Sequence, residues 1–301
     1  MKILLTGASG QVGHALAARL HGHELVTPAR TELDLAATDT IDAYIGRIGP
    51  DLIINPAAYT AVDKAQSEPE LARLLNVEAP LALAQAATRR GVALIHFSTD
   101  YVFDGTKDAP YDEHDAPCPL SVYGSSKLEG EQAVMQACNH AWILRTSWVY
   151  GAHGGNFMKT ILRLAQERKT LSIVGDQWGA PTWSFTIADA VLQMMDGFTS
   201  AEALAQRVCE SAGLYHLTAR GATNWHDYAA HVVDAMPSLG LSPKLASADI
   251  AAIATEAYPT AARRPKNSRL RTDKLEQTFG LRLPEWDIAL DQCLRGMVQQ
   301  P

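Results

Sequence analysis

Short apolar runs alternate with longer amphipathic segments along the first half of the chain. Each run has the length of a buried strand, and together they are Lys2–Thr6, Glu24–Thr27, Leu52–Asn55, Ala93–Ser98 and Ala141–Thr146. The intervening segments are rich in Ala, Leu, Glu and Gln and predict helices at Val12–Leu20, Thr38–Ile48, Glu68–Arg90 and Tyr123–Gln136. This alternation predicts an α/β fold with a doubly wound parallel sheet. Pro80 is expected to break or kink the third helix, because proline lacks the amide hydrogen that a helix needs.

The pattern is looser after about residue 150. Helices are predicted at Asn156–Glu167, Ile187–Met195, Trp225–Met236, Thr272–Phe279 and Glu285–Gln299, and strands at Leu171–Val174 and Leu214–Leu217. The segment Leu241–Pro265 has no clear period and is expected to wrap the surface near a cleft. We therefore divide the chain into residues 1–150, which carry the sheet, and residues 151–301, a smaller, interleaved region from which some segments return to the sheet.

Composition and charge narrow the class of protein. Of the 301 residues, 47% are hydrophobic and 20% are charged, which is typical of an ordinary globular protein. The net charge of -7 argues against nucleic acid as a partner, because duplex binding usually needs clustered Lys and Arg. The cysteines form no C-x-x-C pair, which favours a reducing compartment. Neither a signal peptide nor a stretch of ~20 apolar residues is recognisable, so we expect a cytoplasmic protein with no membrane partner.

A glycine-rich turn follows the first predicted strand directly and opens the first predicted helix. Its sequence is Gly7-Ala-Ser-Gly10-Gln-Val-Gly13. Such glycines permit a tight turn, a close approach of a pyrophosphate and close packing of helix on strand, so a Rossmann-type dinucleotide site is predicted. The second strand ends at Arg30 instead of the acid that usually holds an NAD ribose, which favours NADPH. Glu32 and Asp34 follow closely, so NADH stays open as an alternative.

Tyr123 and Lys127 form a Y-x-x-x-K pair on a predicted helix. Side chains four positions apart share one helix face, and an ammonium beside a phenol favours the phenolate. Lys127 is also placed to hold the ribose of a dinucleotide. Thr99 lies at the carboxyl end of the fourth predicted strand, where its hydroxyl can position a substrate oxygen for proton transfer from Tyr123. Together with the glycine turn, these residues predict an oxidoreductase.

Longer stretches carry a resemblance to a known family. They are Asn55–Ala65, Ser98–Phe103, Arg145–Tyr150, Gly175–Thr182, Gly213–Leu217 and Arg264–Arg269. With the glycine turn and the Tyr–Lys pair, they resemble the extended short-chain dehydrogenase/reductases, and within them the branch that reduces dTDP-linked keto sugars. The likeness spans nearly the whole chain. It implies reduction of the C4 carbonyl of dTDP-4-dehydro-L-rhamnose by NAD(P)H, which gives dTDP-L-rhamnose.

The resemblance also implies roles for individual residues. Tyr123 would donate the proton, with Lys127 and Thr99 assisting and Asn76 behind the tyrosine. The cofactor would be held by Gly7, Gly10, Gln11, Val12, Gly13, Arg30, Asp34, Leu35, Ala57, Ala58, Tyr59, Tyr123 and Lys127. The substrate would be contacted by Thr99, Asp100, Trp148 and Asn267. For Trp148, an ordinary core position is the alternative that the sequence leaves open.

One departure from some relatives concerns metal and assembly. Those relatives form a magnesium-bridged dimer through acidic side chains, whereas the corresponding positions here are Ala15 and Phe185, which cannot ligate a hard cation. We therefore predict no metal site, and a homodimer, if formed, that does not depend on that magnesium. The histidines are scattered without an H-x-x-x-H pair, which gives zinc chemistry little support.

Other functions remain open at the level of the sequence. One is a nucleotide-sugar epimerase or dehydratase of the same fold, although Asp100 alone does not provide the acidic catalytic pair usual in such dehydratases. Another is a non-catalytic NADP-binding protein, such as the regulatory subunit of methionine adenosyltransferase, which resembles the same reductases, or a redox sensor. Thr99, Tyr123 and Lys127 are all present, which argues for retained catalysis.

Overall fold

A six-stranded parallel sheet forms the centre of the molecule in the computed structural model, which describes residues 1–197 and 200–298. The strands in chain order are β1 Lys2–Leu5, β2 Glu24–Val26, β3 Leu52–Asn55, β4 Ala93–Thr99, β5 Ala141–Thr146, β6 Val149–Tyr150, β7 Leu171–Val174, β8 Trp178–Gly179, β9 Thr182–Trp183, β10 Gly213–His216, β11 Thr223–Asn224 and β12 Ile250–Ile253. The sheet has the order β10-β5-β4-β3-β1-β2. Every neighbouring pair in it is parallel.

Helices cover both faces of this sheet. They are α1 Gln11–Arg19, α2 Thr38–Ile48, α3 Val62–Ala65, α4 Pro69–Arg73, α5 Ala79–Arg90, α6 Val122–Ala137, α7 Phe157–Glu167, α8 Ser184–Met194, α9 Ala201–Glu210, α10 Trp225–Ala235, α11 Asp273–Phe279 and α12 Trp286–Val298. One apolar core lies between the sheet and α1, α8 and α9, and a second lies between the sheet and α2, α5 and α6. All seven residues of β4 are buried, as expected for a strand that is covered on both faces. The predicted α/β fold with a doubly wound parallel sheet is confirmed.

The second half of the chain forms a smaller region with its own core. In it, α7, α10 and α12 pack together, and β12 pairs with β7, β11 with β8, and β6 with β9. One strand of this half returns to the central sheet, because β10 pairs with β5 in the register Gly213↔Trp142. The two parts of the chain are therefore interleaved. The division at residue 150 stays a prediction.

The short elements α3, β6, β8, β9 and β11 were not predicted, and three longer segments also differ from the pattern-based prediction. The predicted helix Glu68–Arg90 consists of α4, a π-helical turn at Leu74–Glu78 and α5, so the irregularity lies just before Pro80. Pro80 sits in the first turn of α5, where its missing amide hydrogen costs nothing. Helix α9 was not predicted. The segment Leu241–Pro265, expected to be irregular, contributes β12, whose pairing with the distant β7 leaves no local signal.

Candidate active site

The glycine turn joins β1 to α1 at the carboxyl edge of the sheet. Gly7 has φ +57°, a conformation that glycine adopts without a steric penalty. A Cβ at Gly7 would lie within 3.0 Å of Ala57, and one at Gly13 would lie 2.1 Å from the carbonyl oxygen of Gly7. Gly10 precedes α1, and its amide donates to the carbonyl of Gly7 at 3.0 Å. The turn is therefore a bare backbone cradle in front of a helix N-terminus.

Two cavities meet at this cradle, and both are lined by Gly7, Ser9, Ala57 and Ala58. The first, named here the Arg30 cavity, has a volume of about 590 Å³ and extends along the end of β2. Arg30, Asp34 and Leu35 line it, and Nε of Arg30 lies 3.4 Å from the Asp34 carboxylate. The side chain of Arg30 is 77% exposed, so its guanidinium is accessible to a ligand in this cavity.

The second, named here the Tyr123 cavity, has a volume of about 690 Å³. It brings together Thr99, Asp100, Tyr123, Lys127 and Trp148, which are far apart in the sequence. The central sheet and α6 explain this meeting. Thr99 ends β4 at the carboxyl edge, and Tyr123 and Lys127 lie one turn apart on α6, which packs against that strand. From the glycine turn, Gly10, Gln11, Val12 and Gly13 also line this cavity.

The phenol of Tyr123 is suited to donate a proton. Burial raises its pKa to about 12 and the Asp100 carboxylate acts in the same direction, whereas a hydrogen bond with Thr99 lowers it. Tyr123 is therefore a neutral phenol near pH 7, the form that a reduction of a carbonyl requires. The neighbours that move this pKa are Thr99 and Asp100, so the tuning of Tyr123 by Lys127 stays a prediction.

Lys127 lines the Tyr123 cavity and is almost fully buried. Its Nζ donates to the carbonyl oxygen of Phe97 at 2.6 Å. Burial lowers its pKa to about 8, and the carboxylate of Glu131, one turn further along α6, opposes this decrease. Glu131 is fully buried and is held by two hydrogen bonds from Arg145, at 2.8 and 2.7 Å. The ammonium of Lys127 thus depends on a carboxylate that is itself fixed by an ion pair.

Asp100 is buried beside Thr99. Its carboxylate accepts from the hydroxyl of Thr99 at 3.0 Å and from that of Ser147 at 2.8 Å. Burial raises the pKa of Asp100 to about 6, although hydrogen bonds from Ser268, Ser147 and Thr99 oppose this increase. The carboxylate is ionised at neutral pH and lines the cavity, where it can accept hydrogen bonds from hydroxyl groups.

Trp148 follows β5 and lines the same cavity. Its φ is +46°, a left-handed conformation that costs a bulky residue about 1–2 kcal/mol. Its indole stacks on that of Trp225, with ring centroids 3.5 Å apart and ring planes 9° apart. An observed backbone outlier in a cavity favours a functional position over an ordinary core position. The substrate contact of Trp148 stays a prediction.

Asn76 and Tyr59 support the site from behind. Asn76 lies in the π-helical turn, where its side chain accepts from the amide of Tyr59 at 2.8 Å and donates to Ser126 on α6 at 3.0 Å. Ser126 in turn donates to the carbonyl of Tyr123 at 2.9 Å. The phenol of Tyr59 points elsewhere and donates to Glu68. Tyr59 therefore contributes backbone behind Ala57 and Ala58, which line both cavities, and the cofactor contacts of all three residues stay predictions.

Asn267 is occupied by contacts within the protein. Its Nδ2 donates to the carbonyls of Lys107 and Ala109, at 2.5 and 2.9 Å, and its Oδ1 accepts from Nε of Arg269 at 2.8 Å. It is buried and lines neither the Arg30 cavity nor the Tyr123 cavity. These contacts favour a structural role in holding the loop that contains Lys107, and the substrate contact implied by the resemblance stays a prediction.

Several lining residues were missed by sequence reasoning. In the Tyr123 cavity they are Ser9, Pro56, Thr60, Phe97, Ser98, Thr146, Val149, Gly154 and Gly155. The adjacent Gly154 and Gly155 were a usable signal, since paired glycines often mark close approach of backbone to a ligand. Ser147 was not predicted either, because its hydrogen bond to Asp100 joins segments that are distant in sequence.

The positions that correspond to the metal ligands of some relatives do not form an acidic site. Ala15 is fully buried, and Phe185 packs under the guanidinium of Arg19, whose Cζ lies 4.5 Å from the ring centroid. Within residues 1–197 and 200–298, no group of three His, Cys, Asp or Glu side chains is arranged to hold a metal ion. In the same part of the chain, no helix has the length and hydrophobicity to cross a membrane.

Comparison with known proteins relates this site to one family. Residues 1–299 match the family model described as the RmlD substrate binding domain. The dTDP-4-dehydrorhamnose reductase of Salmonella typhimurium is 46% identical over 302 residues, covering 99% of this chain and 98% of the relative. That of Burkholderia thailandensis is 44% identical over 303 residues, covering 100% of both chains.

A solved structure agrees with these relatives. The crystal structure of the dTDP-4-dehydrorhamnose reductase from Bacillus anthracis, in complex with NADP, has a TM-score of 0.85 to this chain at 32% identity. The match covers 97% of this chain and 98% of that chain. The resemblance inferred from the sequence motifs is confirmed. The chain belongs to the dTDP-4-dehydrorhamnose reductases, a family of NAD(P)H-dependent oxidoreductases among the extended short-chain dehydrogenase/reductases.

Proposed function

We propose that this protein reduces the C4 carbonyl of dTDP-4-dehydro-L-rhamnose to give dTDP-L-rhamnose, with Tyr123 as the proton donor. The observation that carries the proposal is the meeting of Thr99, Tyr123 and Lys127 in one cavity that is continuous with the glycine cradle. Full-length identity to reductases of this name supports the choice of substrate. A cytoplasmic location fits the same proposal, since sugar nucleotides are made inside the cell.

The residues present fit a dinucleotide cofactor. A Cβ at Gly7 or Gly13 would collide with backbone, so the cradle in front of α1 is kept free of side chains. The amides at this helix N-terminus suit a pyrophosphate, and the cavities on either side suit the two halves of a dinucleotide. NADPH bound there would supply the hydride to C4. Arg30 in its cavity favours NADPH over NADH, because a guanidinium can pair with a 2′-phosphate.

Tyr123 would donate the proton, assisted by Thr99 and Lys127. The neutral phenol donates its proton to the C4 oxygen as negative charge develops there, while the hydroxyl of Thr99 orients the same oxygen. Lys127 provides a positive charge near the resulting phenolate and holds the ribose hydroxyls. A positioned proton donor of this kind typically contributes roughly 10²–10⁴-fold to the rate.

Asp100 and Trp148 would bind the sugar. The Asp100 carboxylate, held by Ser147 and Thr99, is placed to accept a hydrogen bond from a sugar hydroxyl. The indole of Trp148 offers a flat apolar surface to the sugar ring. These two side chains and the C4 oxygen contacts of Thr99 and Tyr123 would orient the ring in the cavity.

NADPH oxidation with enzymatically generated dTDP-4-dehydro-L-rhamnose tests the proposal directly. NADH is run in parallel, and both are assayed with and without magnesium. Turnover that yields dTDP-L-rhamnose, faster with NADPH and independent of magnesium, is the expected result. Tight NADPH binding without turnover of this or a related keto sugar would instead indicate a regulatory protein or redox sensor.

A further inference from the structure

Trp148 is held in a conformation that its own backbone disfavours. Among the non-glycine residues that the structure describes, it alone has a φ in the left-handed region. Such strain persists only where the surroundings impose it, and it tends to occur where a side chain must be aimed at a ligand. The residues that orient the indole of Trp148 can therefore influence how a substrate binds.

Two contacts fix this indole. Trp225, the first residue of α10, stacks on it face to face at 3.5 Å between ring centroids. The second contact is with Gly179, at the end of β8, whose lack of a side chain leaves room for the indole of Trp148. A Cβ at Gly179 would lie 2.6 Å from Cε2 and 2.8 Å from Cζ2 of Trp148. The indole thus occupies space that any other residue at position 179 would need.

The stacking partner is itself tethered. Nε1 of Trp225 donates to Oε1 of Gln177 at 3.2 Å, and Nε2 of Gln177 donates to Oγ1 of Thr255, also at 3.2 Å. The backbone of Trp148 is bound as well, since its carbonyl accepts from the amide of Thr182 at 3.3 Å. The strained residue is therefore held at its ring and at its main chain by segments of the second half of the chain.

We propose that Trp225 and Gly179 are specificity-determining positioning residues, which hold Trp148 as a fixed wall at the sugar end of the Tyr123 cavity. The inference rests on the proposed function and deepens it. A rigid wall admits a keto sugar in one orientation and rejects the flipped ring by steric overlap, so that one face of C4 meets the hydride. A mobile indole accepts both orientations and also accepts 4-keto-6-deoxy sugars that differ in ring substituents.

The first test compares Trp225→Leu and Gly179→Ala with wild type in steady-state kinetics and product analysis. We expect roughly a tenfold or larger rise in KM for the keto sugar, with KM for NADPH unchanged. The product should contain both C4 epimers instead of dTDP-L-rhamnose alone. Trp286→Leu is the matched control, because Trp286 belongs to the same aromatic cluster but contacts Tyr228 and His231 instead of Trp148. An unchanged KM and a single epimer in both variants would overturn the inference.

A second test separates this inference from the proposed function. Binding of dTDP-L-rhamnose and of dTDP is measured for wild type and for Trp225→Leu in the presence of NADP, and needs no turnover. The variant should bind dTDP-L-rhamnose more weakly and dTDP equally well, since only the sugar end has changed. Equal losses for both ligands would overturn the inference even if wild type is an active reductase.

Near-ultraviolet circular dichroism reports the stack itself. Indoles that are held rigidly in an asymmetric environment give near-ultraviolet bands, so part of this signal should be lost in Gly179→Ala, which keeps both indoles but displaces that of Trp148. Loss of that signal together with unchanged sugar binding and unchanged product would show that the stack exists but does not determine specificity. Wild-type protein that binds dTDP-L-rhamnose but does not reduce dTDP-4-dehydro-L-rhamnose would remove the proposed activity and leave the binding comparison decisive.

Discussion

The two ends of the proposed active site are built by different means. The glycine cradle, where the cofactor is proposed to bind, is named here the cofactor end and is formed by backbone: Gly7 and Gly13 have no space for a side chain, and the helix that follows presents bare amides. The sugar end is formed by side chains that fix one another, such as Asp100 under two hydroxyls and Trp148 against Trp225. Under the proposed function, cofactor binding depends on the path of the backbone, whereas catalysis and substrate selectivity depend on buried polar and aromatic side chains.

The comparison predicts the largest effect on turnover for Tyr123, the proposed proton donor at the sugar end. Tyr123→Phe removes the phenolic oxygen but keeps the ring, so kcat should fall by roughly 10²–10⁴-fold. NADPH binding, measured by fluorescence titration, should change little because the glycine cradle is untouched. Equal turnover in the variant would remove Tyr123 from the mechanism.

The cofactor end should respond most strongly to a single methyl group. In Gly13→Ala the new Cβ would lie 2.1 Å from the carbonyl oxygen of Gly7, a backbone atom that cannot move without opening the turn. We expect NADPH affinity to fall by about 100-fold or more and the protein to lose ~1–3 kcal/mol of stability. Gly22→Ala is the control, since a Cβ there meets no atom within 4 Å. Normal NADPH binding by Gly13→Ala would contradict the idea of a backbone-built cradle.

A buried carboxylate at the sugar end should cost stability. Burial raises the pKa of Asp100 to about 6, so the folded state keeps this proton at pH values where the unfolded chain, with a pKa of about 4, has released it. Stability is therefore lost as pH rises from about 4 to 6, and the penalty is fully present above pH 6.

Asp100→Asn removes that penalty. Relative to wild type, the free energy of unfolding of the variant should be higher by up to about 3 kcal/mol at pH 7.5, and this advantage should vanish near pH 4. Urea unfolding of both proteins at the two pH values measures the difference. A constant difference across pH would mean that the carboxylate is not destabilised by burial. Activity should fall in the variant, which would make Asp100 a case of stability given up for function.

Lys127 should set the alkaline limb of the activity profile. Burial lowers its pKa to about 8, so the ammonium is present below that pH and is lost above it. If the charge of Lys127 is required, kcat/KM should decline about tenfold per pH unit well above pH 8. In Lys127→Arg the side chain stays charged throughout this range, so kcat/KM should no longer decline above pH 8, even if its absolute value is lower. A limb that persists unchanged in Lys127→Arg would assign it to another group.

The same contrast explains how much the sequence could predict. The sheet, the glycine turn and the Tyr123–Lys127 pair follow from local spacing, and the structure brings that pair and Thr99 together in one cavity. The stack of Trp148 on Trp225 and the bond from Ser147 to Asp100 join segments that only tertiary packing brings together. The sequence also could not show which polar side chains already have hydrogen-bond partners within the protein. Asn267 is an example, because its amide is bonded to Lys107, Ala109 and Arg269.

The smallest effect is expected for Arg30, the cationic side chain that lines the Arg30 cavity. Arg30 is 77% exposed and pairs with Asp34, so a 2′-phosphate would have to compete with that carboxylate and with water. Arg30→Ala should therefore weaken NADPH binding only by about tenfold or less and leave NADH binding unchanged, as measured by titration with each nucleotide. Arg163→Ala, which removes an exposed arginine paired with Glu167 on α7, should change neither affinity. Equal losses for NADPH and NADH would exclude a phosphate contact by Arg30. A loss much larger than tenfold, confined to NADPH, would mean that one exposed side chain dominates recognition at an end that is otherwise built from backbone, and the contrast between the two ends would no longer hold.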